Sequence, residues 1–134
     1  MTEGQRTALA EAITAIERSY EFMLAYAAQG RDFEDPKGPA IRQWLTTLRD
    51  SLAGVADLVA AHEGVPSFGA FVDVLRADAG KAGAAVEVVL SLPSIGSQLV
   101  DNLNASIHLR ALLTDIFLVD EALRSGRRVA AKKD

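Results

Sequence analysis

Glu17, His62, His108 and Asp115 are the side chains of this 134-residue sequence with the donor chemistry of a carboxylate–imidazole metal site. Ligands that share a helix normally sit three or four residues apart, so that both project from one face. His108 and Asp115 are seven apart, and no ligand type stands four residues after His108. Glu17 and Glu21 have the right separation, but on a helix Glu17 lies about 100° and Glu21 about 140° from the centre of the apolar face. Glu21 therefore reads as solvated and Glu17 as a boundary residue able to turn inward. His62 falls in the last turn of its segment, where a histidine suits the negative end of the helix dipole.

A different chemistry is suggested by "SIHLRALLTDIF", residues 106–117. Read within one continuous helix, Leu99, Leu103, Leu113 and Phe117 fall on one side, with Arg110 among them. A guanidinium on an apolar face needs a carboxylate, because an unpaired buried charge costs several kcal/mol. Midpoint meets midpoint in an antiparallel bundle. Asp78 and Glu17 lie at the middles of the third and first segments and are the expected partners, fixing helix register. Two alternatives stay open: Arg110 crosses into a homo-oligomer interface, or it meets an anionic ligand beside the small-sided "AGKAGAA".

The elements that must position these residues are helical. Residues 6–29 place Leu9, Ile13, Ile16, Tyr20, Met23, Leu24 and Ala27 on one face at about 100° per residue. Gly30 follows as a C-terminal cap. A second segment starts near Pro39, ends near His62, and is striped by Ile41, Trp44, Leu45, Leu48, Leu52, Val55 and Val59; Gly64 and Pro66 stop it. Ser67 is a natural N-cap for a third segment, striped from Phe68 to Leu90. Gly80 and Gly83 interrupt its centre at about 1 kcal/mol each relative to alanine, and read as close helix contact or as room for a ligand. After Pro93 and Ser94 a fourth segment runs from Ile95 to Arg124, apolar over an arc wide enough for two neighbours or another subunit. The expectation is one all-α domain over residues 1–126, an antiparallel up-down-up-down four-helix bundle, followed by a flexible basic tail at 127–134.

Composition narrows the function classes. Half the residues are hydrophobic (49%) and 24% charged, a globular balance. The net charge of −4 disfavours nucleic acid as a partner. With no cysteine, thiolate metal sites and Cys nucleophiles are excluded. No apolar run approaches the 18–20 residues or so of a membrane span, and the start lacks a secretion-signal pattern, so a cytoplasmic chain is expected. No nucleophile–base or phosphate-loop motif is present.

Two stretches carry a family resemblance. "AIERSYEFMLAYAAQG" and "HEGVPSFGAF…VLRAD" resemble the first helix and the post-second-helix junction of bacterioferritin-type, ferritin-like bundles. That resemblance implies a di-iron site in a four-helix bundle, oligomers and, in some members, haem. Only Glu17 carries over, as the first-helix iron ligand. The second segment has no Glu-x-x-His, and in "TDIFLVDEAL" Asp115 is followed by Leu118 where the family has histidine. The resemblance therefore implies a relative without the di-iron site. Met23, a residue type able to ligate haem, falls at core spacing and reads as packing.

The leading functional expectation is a non-catalytic, homo-oligomeric protein that acts by association, as scaffold, adaptor or regulatory subunit, with no cofactor. The alternative is a ferritin-like iron- or cofactor-binding bundle using Glu17, His62, His108 and Asp115.

Overall fold

Apolar residues recurring every three to four positions fold the described chain into five α-helices, with no strand among the described residues: α1 Glu3–Ala28, α2 Ile41–Ala60, α3 Phe68–Leu90, α4 Ser97–Ala105 and α5 Ile107–Lys133. The structure is a computed structural model. It describes residues 1–134 except Pro39, Glu63, Pro66 and Asp134, and except the side chains of Ala130, Ala131 and Lys133. The expected roles of Pro39 and Pro66 in starting and stopping helices lie outside the described residues.

α1 packs on α2, α2 on α3, and α3 on α5, while α4 packs against the C-terminal half of α1. Each long neighbour reverses direction. Phe22 near the end of α1 stacks on Trp44 near the start of α2, ring centroids 5.5 Å apart. Arg76 bonds Asp57 at 2.8 Å and Arg49 bonds Glu87 at 3.2 Å, pairing opposite ends of α2 and α3. The core is the one the periodicity predicts: Leu9, Ile13, Ile16 and Met23 meet Leu45, Leu48, Leu52 and Val55, with Leu75, Ala82 and Val86 closing from α3. Leu24, placed on the apolar face of α1 by its angle, is instead about half exposed.

The fourth segment is not one helix. Ser106 leaves the helical region at φ −57°, ψ 131°. Its hydroxyl accepts from the backbone N–H of His108 at 3.3 Å and its carbonyl from that of Arg110 at 3.0 Å. It is the N-cap of α5, and a cap in mid-run divides the segment into α4, which serves α1, and α5, which serves α3. Helical geometry continues through 127–133, the stretch read as a tail.

One end of the helix set is tied by polar bonds between two loops. The Tyr26 hydroxyl, fully buried, donates to the Ile95 carbonyl at 2.6 Å. Ser97 donates its hydroxyl to the Tyr26 carbonyl and accepts from the Arg31 N–H, both at 2.8 Å, while its own N–H reaches the Arg31 carbonyl. The Arg42 guanidinium grips both Glu34 oxygens at 3.0 Å and donates to the Leu90 and Leu92 carbonyls that end α3. Gly30, at φ 66°, turns the chain out of α1 into this knot. At Gly96 a Cβ would stand 2.8 Å from the Asp32 carbonyl oxygen.

The α3 glycines do not mark close contact: a Cβ at Gly80 or Gly83 meets nothing within 4 Å. Gly80→Ala should therefore stabilise the fold by about 0.5–1 kcal/mol, read as a higher urea midpoint at unchanged slope. Tyr26→Phe leaves the buried Ile95 carbonyl without its donor and should lose about 1–3 kcal/mol by the same measurement.

Candidate functional site

At the end opposite the knot, α1 and α5 barely touch, and a cleft of about 680 Å³ opens between them. Leu9, Ile13 and Val65 give it apolar walls, with Leu123 closing from α5. Glu17 reaches in from α1 and Asp120 and Arg124 from α5, while Arg6, Arg127 and His62 stand at the far end. Arg124 bonds Asp120 at 3.1 Å, one turn away on the same helix. Burial, then the charge of Asp120 and a hydrogen bond shared with it, hold the Glu17 carboxyl above the ordinary carboxylate range; Arg124 pulls the other way. The His62 ring packs edge-on to Phe68, centroids 5.7 Å apart, and its Nδ1 accepts from the Gly64 N–H at 2.9 Å. Burial, followed by the positive charges around it, Arg6 and Arg127 among them, lowers its pKa. A ring kept neutral with Nδ1 accepting carries its proton on Nε2.

A second carboxyl pair lies on the seam between α3 and α5. Asp115 is 9% exposed, and its Oδ2 has no conventional donor. Burial, then a hydrogen bond to Asp78 and the charge of Asp78, push its pKa up to about 7. Two neighbouring carboxylates repel when both are charged, so burial and Asp78 together favour the protonated form of Asp115. Nothing else hydrogen-bonds its buried side chain, and it reaches no cleft. Its chemistry is that of a joint between helices.

The structure thus redistributes the residues singled out by spacing. Glu17 and His62 share the cleft. Asp78 and Asp115 share the seam. His108 is exposed and stands apart from both. Arg110 is exposed and makes no ion pair with Asp78 or Glu17, so the expected register lock is not formed; Asp78 neighbours Asp115 instead. The physical reason is the break at Ser106. Counting 100° per residue from Leu99 through a non-helical residue rotates every later position, so Arg110 and Phe117 go to solvent and Asp115 goes inward. Among the described residues no three His, Asp or Glu side chains are grouped to hold a metal. Met23 is fully buried packing, its carbonyl accepting from Asn104 Nδ2 at 3.2 Å.

Asp120, Arg124, Arg6 and Arg127 escaped the sequence reading. Asp120 and Arg124 carried a usable signal, a four-residue acid–base spacing on one flank of α5. No family model, characterised protein or solved structure matches this chain.

The raised Asp115 pKa fixes a sign. Between pH 3.8, its unperturbed value, and about 7 the folded chain holds a proton that the unfolded chain has released. This group therefore stabilises progressively as pH falls from about 8 toward 4, and its penalty is full above about 7. Asp115→Asn should remove that dependence and raise stability at pH 8 by about 2 kcal/mol or more, on the order of 5 °C in Tm. Paired thermal melts of the two proteins at pH 5.5 and 8 check it, since His62 and Glu17 act equally in both.

Proposed function

We propose that this protein works by association with a second copy of itself across the α3–α5 seam, as a non-catalytic scaffold or regulatory subunit. In this reading the four long helices form an up-and-down bundle and α4 is a wedge beside α1. The observation that carries it is the outer rim of the seam. Val74 and Val88 on α3 and Ile107 and Leu118 on α5 are large, apolar and exposed, Val74 by 46% and Leu118 by 59%. Helical spacing turns all four toward the same groove. Below the Val74 and Leu118 level, Val65, Phe68 and Phe71 continue it as an apolar furrow. Exposed apolar side chains paired across a groove in this way favour an interaction site. A twofold axis over the seam sets Val74 of one copy against Leu118 of the other, so one patch serves both partners.

A second reading has one observation in its favour. Glu17, the one residue that the ferritin-like resemblance carries over, faces another carboxylate, Asp120, across the cleft. Arg124 already occupies Asp120 and competes with a cation there. Stoichiometric iron in protein purified from iron-supplemented cells would favour this reading over the first.

Sedimentation of the natural chain at about 100 µM should give twice the mass of one chain. Val74→Lys with Leu118→Lys should give a single chain that keeps its helical circular-dichroism spectrum and a cooperative melt, because both residues are exposed. A natural chain that sediments alone sinks the dimer.

A further inference from the structure

We propose that the α1–α5 cleft binds one small amphiphile, its anionic head at the Arg6–Arg127–His62 end and its apolar tail along Leu9, Ile13 and Leu123. The head is an oxyanion, carboxylate or phosphate. The site lies on the other flank of α5 from the α3 seam and is formed within one chain.

Volume and shape come first. About 680 Å³ falls within the range of small-molecule sites, roughly 300–1,000 Å³. From Arg6 to Glu17 along α1 the cleft runs about 16 Å at 1.5 Å per residue, enough for a chain of about ten carbons. Its apolar lining comes from both helices: Leu123 and Val65 are partly exposed at its walls, and Leu9 and Ile13 form its floor, nearly buried at 2% and 4% exposure.

Charge gives the polarity. The chain as a whole is at −4, yet among the described residues the lining carries three arginines against two carboxylates. Both carboxylates are accounted for within the cleft, Asp120 by Arg124 and Glu17 by its shared bond with Asp120. At the other end Arg6 holds only the exposed Glu3, at 3.4 Å, and Arg127 makes no ion pair among the described residues. Guanidinium forks match the two oxygens of a carboxylate or phosphate. His62 adds a directed donor. Its Nδ1 is committed to Gly64, leaving Nε2–H for the head, and a Cβ at position 64 would stand 2.5 Å from the ring, so the loop is fitted to the imidazole in this pose.

Calorimetric titration of the full chain at pH 7 tests this with decanoate, decyl phosphate, decanol, decyltrimethylammonium and inorganic phosphate. Decanoate or decyl phosphate should bind one per chain, at least ten-fold tighter than decanol or the ammonium compound; which anion is preferred tells a carboxylate head from a phosphate head. Inorganic phosphate alone should bind at least ten-fold more weakly than the preferred amphiphile. Arg6→Ala with Arg127→Ala should weaken the anions ten-fold or more and leave decanol unchanged. Ala10→Trp, an exposed lining position, should block every decyl probe. The dimer variant Val74→Lys/Leu118→Lys should still bind one anionic amphiphile per chain, with the same preference over decanol. Decanol binding as tightly as the anions, a double-arginine variant of undiminished affinity, undisturbed binding in the tryptophan variant, or no binding by any probe would each overturn the proposal. All substituted residues are exposed, and circular dichroism melts confirm folding of each variant.

Discussion

The hydrogen bond from the buried Tyr26 hydroxyl to the Ile95 carbonyl, with the Ser97, Glu34 and Arg42 bonds around it, is the constraint on which the arrangement of helices rests. It joins the loop after α1 to the loop after α3, two stretches with little apolar surface of their own. Helix dipoles and core packing leave the ends of antiparallel rods free to slide. This knot removes that freedom at one end, because each bond satisfies a backbone group that would otherwise be buried unpaired. Arg42 ends α3 by taking its last carbonyls, Ser97 and Gly96 place α4 against α1, and α5 is then launched from Ser106 toward α3. With α4 occupying the side of α1 nearest the knot, α5 meets α1 only obliquely, and the opposite end stays open.

How far this could be read from residues alone depends on whether the signal was local. The first three helices and most of their buried stripes follow from period and punctuation, since Leu9, Ile13, Leu45, Leu48, Leu75 and Val86 repeat without interruption. The fourth segment failed at a single residue. Ser106 looks like any polar residue in an apolar run, and its capping geometry depends on α4 and α5 having different partners. Everything counted through it inherited the wrong phase, which is why Arg110 gained a buried role it does not have. Glu17 and His62 were visible as boundary residues. That they share one cleft was not, because forty-four positions separate them along the chain. The basic end was hidden for a further reason: Arg127 belongs to a stretch whose composition reads as a tail.

The molecule uses the same device, a carboxyl group beside another carboxyl, in two environments with different outcomes. On the α3–α5 seam burial, followed by Asp78, raises the Asp115 pKa to about 7. In the cleft Arg124 shares the duty, and the Glu17 carboxyl is displaced in the same direction with part of the repulsion offset. Neither pair is placed beside a nucleophile.

The sparse attachment of α5 has a dynamic consequence. Helix α5 packs mainly on α3, touches α1 and α4 slightly, and extends as a single-layered rod toward Lys133. Free energies of local opening follow buried contact, so the distal half of α5 should exchange its amide hydrogens well ahead of α1, α2 and α3. Yet that helix contributes one side of the seam and one wall of the cleft. Any occupant of either surface orders the same rod, and ordering it once lowers the entropy cost at the other surface. By reciprocity the influence runs equally both ways. Two binding events on opposite flanks would then favour each other through the stiffness of one helix, with no side chain passing between them.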